Sequence, residues 1–158
     1  MPRTEIYSSF AARFISPEKA KFASEAEIQN AEAKLNIRFP RSFRAFISEF
    51  GAPFTPGILA MVVDQSVSLP ALQQFLHITE VAEATFTYRS GGMPDDLVCI
   101  ASDAMGNMFC FSKNDLALEL DDAPVYFFDH DFPGDASEEL EIYPAFDAFL
   151  LSYIDNIK

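Results

Sequence analysis

The chain has no tryptophan, only two histidines and two cysteines, and between residues 95 and 158 only Lys113 and Lys158 are basic. Each shortage excludes something. No apolar run approaches the ~18–20 residues that a membrane-spanning helix needs. The opening stretch "MPRTEIYSSFAARF" places Glu5 and polar residues where a secretory signal needs an uninterrupted apolar segment, so a cytoplasmic protein is expected. Cys99 and Cys110 lack CxxC spacing and have no companions, which argues against a cysteine metal site or a disulfide framework. In a reducing compartment they read as buried free thiols, near each other if their segments pair as a hairpin. GxSxG, P-loop, GxGxxG and HExxH patterns are all missing. "SGGMP" has two glycines but neither the lysine nor the spacing of a phosphate loop.

What is present is a globular composition. Nearly half of the 158 residues are hydrophobic, and 17 are phenylalanine. A chain of this length forms one domain and buries roughly 68–70% of its unfolded surface. The net charge of −13 is unevenly placed: residues 1–94 carry equal numbers of acidic and basic side chains. Fifteen acidic residues against two basic ones in 95–158 account for all of it. Such a surface disfavours direct contact with nucleic acid or anionic lipid. It serves solubility, or it attracts a basic partner.

Periodicity divides the chain into helices, strands and a final helix. Ile6, Phe10 and Phe14 predict a helix over 5–14 with Thr4 as its cap. Ser24 and Glu27 form a capping box before the stripe Ile28, Ala31, Leu35, giving a helix to about Asn36. Pro40 suits the first turn of a third helix, whose Phe43, Phe46, Ile47 and Phe50 share one face before Gly51. "ILAMVV" (58–63) predicts a strand, "LPALQQFLHI" is ambiguous, with a turn of helix as one option, and Thr79 predicts the cap of a helix to about Tyr88. From Asp96 the period changes to two. "LVCIAS", "NMFCFS", "LALEL" and "VYFFD" predict short strands in an antiparallel meander, and residues 144–156 predict a closing helix. The result is an α+β domain, with helices packed on a mainly antiparallel sheet of about four to six strands.

Four of these segments, in this order, resemble the Smi/Knr-type domains of the SUKH superfamily. "EIQNAEAKLNIRFPRSFRAFISEFG" matches a helix with a central Glu (Glu32), a Phe-Pro step (Phe39-Pro40), an aromatic helix (Phe43, Phe46, Ile47) and Gly51. "CIASDAMGNMFCF" matches a strand–Gly-Asp/Asn–strand element at Gly106 and Asn107. "PVYFFDHD" is similar to a Val-Tyr-aromatic-Trp-Asp-His-Glu strand, and "IYPAFDAFLLSYI" to the last helix. The resemblance covers residues 24–156 of a single 1–158 domain and leaves 1–23 outside. Two departures stand out: Phe128 occupies the Trp position and loses its indole donor, and Asn107 stands where Asp is commoner. The resemblance implies a protein-binding domain with no catalytic residues and no cofactor. Bacterial members are linked to toxin systems as immunity proteins, and fungal members to regulation of cell-wall assembly.

Asp129-His130-Asp131 is the one cluster with catalytic or metal-binding chemistry. On a strand its carboxylates and imidazole point to opposite faces, and His77 is the only other histidine, so a turn-bonding role is expected. Glu32 reads as a buried carboxylate satisfied by backbone donors or by Arg44. The candidate partner-binding residues are Asp95, Asp96, Asp121, Asp122, Asp129, Asp131, Asp135, Glu138, Glu139 and Glu141, at strand ends that a meander gathers at one edge. A basic toxin domain is the expected partner, and fast capture through complementary charge is the expected advantage. A regulatory or scaffold domain for an endogenous partner is the alternative, with a metal-dependent hydrolase further behind. The sequence does not fix the oligomeric state, a monomer or a weak dimer.

Overall fold

The computed structural model describes residues 1–16, 22–131 and 141–158. In chain order the elements are α1 (Arg3–Phe14), α2 (Glu25–Leu35), α3 (Arg41–Phe50), α4 (Ile58–Asp64), β1 (Leu72–Phe75), α5 (Ile78–Ser90), β2 (Leu97–Asp103), β3 (Met108–Ser112), α6 (Lys113–Leu116), β4 (Val125–Phe128), β5 (Glu141–Tyr143) and α7 (Phe146–Asn156). The five strands form one antiparallel sheet in sequence order, a meander without crossovers. This is the expected α+β architecture.

The helices form where local chemistry directs them. Both arms of the Ser24–Glu27 capping box are made, at 3.1 Å each, and Asn36 ends α2 in the left-handed region at φ 52°. Gly51 ends α3 at φ 69°, a value an L side chain resists. Three helix starts differ from expectation. Helix α1 begins at Arg3 behind Pro2, so Thr4 lies inside the first turn. Pro40 is the cap of α3 rather than part of it. Helix α5 is capped by His77, whose Nδ1 accepts the Thr79 N–H at 3.3 Å.

Two segments differ from the expected strand, and the ambiguous one takes a definite form. "ILAMVV" is helix α4, and only Ile58 of it is buried. The sheet edge it would join is already met by Phe54, which bridges Gln74 of β1, so a helix satisfies its backbone internally. "LPALQQFLHI" supplies β1. "LALEL" is no strand: α6 ends at Leu116, and the chain turns with Glu119 at φ 52° while Leu118 and Leu120 stay exposed. Alternation there marks one anchor, Leu116, in a turn across the sheet end.

The main core lies between one sheet face and helices α1, α3 and α7. Phe109 and Phe111 of β3 meet Phe149 and Phe43 at centroid distances of 4.8 and 5.3 Å. Phe10 of α1, fully buried, touches Phe46, Phe75 and Tyr153. Burying each such ring stabilises the fold by roughly 1.5–3 kcal/mol. In β2 the register slips between Cys99 and Ala101, an irregularity that sends both Ile100 and Ala101 into this core. The opposite face carries a smaller cluster of Met93, Leu97, Cys99, Met108, Cys110 and Phe128. Both cysteines are buried and free, as expected.

Candidate functional site

An antiparallel meander sends alternate turns to opposite ends of the sheet. The start of β2, the end of β3 and the start of β4 share one end, which carries Asp95, Asp96, Asp121 and Asp122. The β2–β3 turn and the end of β4 share the other, which carries Asp129 and Asp131. The expected gathering at one edge is therefore divided in two. Glu141 opens β5, whereas Asp135, Glu138 and Glu139 lie outside the described residues.

At the first end the carboxylates differ in what they do. Asp95 is exposed, while Asp96 accepts the Ser112 hydroxyl at 3.0 Å. Asp121 pairs with Arg3 at 2.6 Å, and its carbonyl accepts the Ser42 N–H at 3.1 Å. Asp122 is a structural hub. It accepts the Ser42 hydroxyl and the Ala123 N–H at 2.8 Å each, then Phe146 N–H at 2.9 Å and Asp147 N–H at 3.2 Å. The residue before α7 is Ala145, which has no capping side chain, so Asp122 caps that helix from another part of the chain. Beside it the Tyr7 hydroxyl lies 2.7 Å from both Ser42 O and Asp147 Oδ1. Burial and then Asp147 push this phenol above its ordinary range.

These residues border a groove of about 500 Å³ between the start of α3 and the 115–123 segment. Its α3 wall carries Arg38, Arg41 and Arg44. Arg44 is committed: it pairs with Glu25 and, at 2.9 Å, with Glu32 Oε1, while Glu32 Oε2 accepts the Phe39 N–H at 2.7 Å. This is the satisfied carboxylate the sequence led us to expect. Arg38 and Arg41 are exposed and have no partner among the described residues. The facing wall offers Glu119 and exposed Leu120, whereas Asp115 is held by the Tyr126 hydroxyl at 2.7 Å. Composition conceals this wall because the charge of residues 1–94 sums to zero. The signal was there in the three-residue spacing of "RFPRSFR".

At the second end one buried carboxylate organises the turn. Asp103 Oδ1 accepts the Met105 and Asn107 N–H groups at 2.8 Å each, and Oδ2 accepts Asn107 Nδ2 at 3.1 Å. Asn107 Oδ1 in turn accepts the His130 N–H at 3.1 Å and lies 2.6 Å from Nδ1. That contact requires the Nδ1–H tautomer, because Asn107 Oδ1 is fixed as an acceptor by the backbone bond. Asp129 Oδ1 accepts the Asp131 N–H at 2.9 Å, an Asx turn. Asn107 thus works as an adaptor, donating to Asp103 on one side and accepting from His130 on the other. Phe128, at the expected Trp position, packs edge-on against Tyr88 with centroids 6.5 Å apart.

Among the described residues no three His, Cys, Asp or Glu side chains group about one point, and no helix is long and apolar enough to cross a membrane. The arrangement defines an α+β protein whose polar side chains at the two sheet ends stitch turns and helix starts, with charged groups left over at a groove mouth. The chain belongs to the SMI1 / KNR4 family (SUKH-1), whose model matches residues 23–152. No curated protein sequence matches it.

Proposed function

We propose that this chain is a non-enzymatic protein-binding module, an immunity protein that neutralises a cognate toxin by docking on it. The observation that carries the reading is family membership joined to a net charge of −13 placed wholly in residues 95–158. A toxin that degrades nucleic acid presents a basic groove, which exposed carboxylates such as Asp95 and Asp131 complement. Affinity capture from the native strain, followed by co-expression with the captured protein, tests the reading. Rescue of growth supports it; failure to protect against any captured toxin refutes it. Steering by charge requires an association rate that falls by about tenfold or more from low to high salt, and a flat rate removes that part.

The free Arg38 and Arg41 favour a second reading, a regulatory domain that seats an acidic segment of an endogenous partner in the groove. Charge reversal separates the two. Asp95→Lys with Asp131→Lys weakens capture in the first reading, and Arg38→Glu with Arg41→Glu weakens it in the second.

A further inference from the structure

The second face of the sheet holds sulfur chemistry that partner docking leaves unused. Cys99 and Cys110 are register partners across β2 and β3, and both are fully buried. The Cys99 N–H donates to Thr85 Oγ1 at 3.0 Å rather than to β3. The two cysteines are thus a non-hydrogen-bonded pair, the arrangement that brings facing side chains closest. Met93 closes over them, its Sδ 3.7 Å from Cys99 Sγ and 4.0 Å from Cys110 Sγ. A trigonal metal centre with metal–sulfur bonds of about 2.3 Å holds its ligand atoms roughly 4 Å apart.

We propose that Cys99, Cys110 and Met93 form a three-sulfur binding site for a soft monovalent cation, Cu(I). The donor set selects the ion. Thiolate and thioether ligands favour Cu(I), calcium and magnesium require oxygen, and zinc requires a fourth ligand that no neighbouring His, Cys, Asp or Glu supplies among the described residues. Charge balance agrees. Two thiolates around one Cu(I) leave a single negative charge, and Arg89 stands by to offset it. Its Nη2 donates to Leu97 O at 3.0 Å, while its buried Nε has no partner among the described residues. Binding forms two thiolate–copper bonds and one thioether–copper bond and releases the two thiol protons to water. Met93 follows the Gly91–Gly92 step, where Gly92 sits at φ 110°.

The test uses the full chain, reduced and kept anaerobic, with Cu(I) supplied as its acetonitrile complex against the chelator bathocuproine disulfonate. One Cu(I) per chain is expected to leave the chelator, with near-ultraviolet sulfur-to-copper absorption and a raised melting temperature. Met93→Leu conserves volume and the fold, as circular dichroism checks, and is expected to weaken binding about tenfold or more. The double variant Cys99→Ala, Cys110→Ala is expected to bind none. The proposal is overturned if the chelator keeps all the copper, if Met93→Leu binds as tightly as the parent, or if the double variant still binds. Should the double variant fail to fold, Met93→Leu decides alone.

Discussion

Asp122 is the carboxylate whose removal distinguishes a structural acid from a surface one. In Asp122→Ala the Ser42 hydroxyl, fully buried, and the N–H groups of Ala123, Phe146 and Asp147 lose their acceptor. Losing a helix cap costs about 1–2 kcal/mol. Stranding a buried hydroxyl adds about 1–3 kcal/mol. Water reaches part of the site, since the Asp122 side chain is 18% exposed, so a total near the middle, about 3 kcal/mol, is expected. With a urea slope of about 2 kcal/mol per molar, the unfolding midpoint falls by about 1.5 M while the slope stays unchanged. Asp95→Ala, at an exposed position, serves as the control and moves the midpoint by no more than about 0.25 M, the effect of an ordinary surface change. An Asp122→Ala midpoint within about 0.5 M of the parent would refute the assignment of Asp122 as the cap of α7.

Asn107→Asp sets a second carboxylate against Asp103 Oδ2, now 3.1 Å from the Asn107 amide, and is expected to lower stability by about 1–3 kcal/mol in urea. Glu32→Ala leaves the Phe39 N–H and Arg44 without their buried acceptor and is expected to cost about 3 kcal/mol by the same measurement. Alkali is expected to unfold the protein cooperatively. Burial holds the Tyr7, Tyr143 and Tyr153 phenols above their ordinary value, so the fold favours the neutral forms. That stability is present in full below about pH 10 and is lost as pH rises further, a slope visible in melting temperatures from pH 8 to 11.5. Tyr7→Phe is expected to flatten it.

The parts of the fold legible in sequence were those whose signals are local. Ser24 and Glu27 announce α2 because both halves of the capping box lie within one turn, and the Phe43–Phe46–Phe50 stripe needs only a helical period. The misread segments were those settled at a distance. Residues 58–63 have strand composition, but the edge they would join is met by Phe54. Residues 116–120 alternate like a strand, yet the position at the sheet end buries Leu116 alone. Site residues divided in the same way. Glu32 was readable because its partners, Phe39 and Arg44, lie within twelve residues of it. Asp122 was not, since Ser42 is 80 positions away and Phe146 is 24. Nothing local distinguishes it from Asp121, and the register that separates the two sheet ends is likewise absent from composition.

Helix α1 lies outside the matched 23–152, yet its Phe10 is in the centre of the core. Several of its polar partners arrive last. Arg3 Nε donates to Asp147 at 2.7 Å across 144 positions of chain, and Arg13 Nη1 donates to Ile154 O at 2.8 Å. Contacts of such long range close slowly, because the intervening chain must be ordered before they form. On the ribosome, at about 5–20 residues per second, α1 therefore waits roughly ten seconds or more for α7. Until then the aromatic face of α1 can meet Phe46 and Phe75 but not Tyr153, so its burial stays incomplete until α7 emerges.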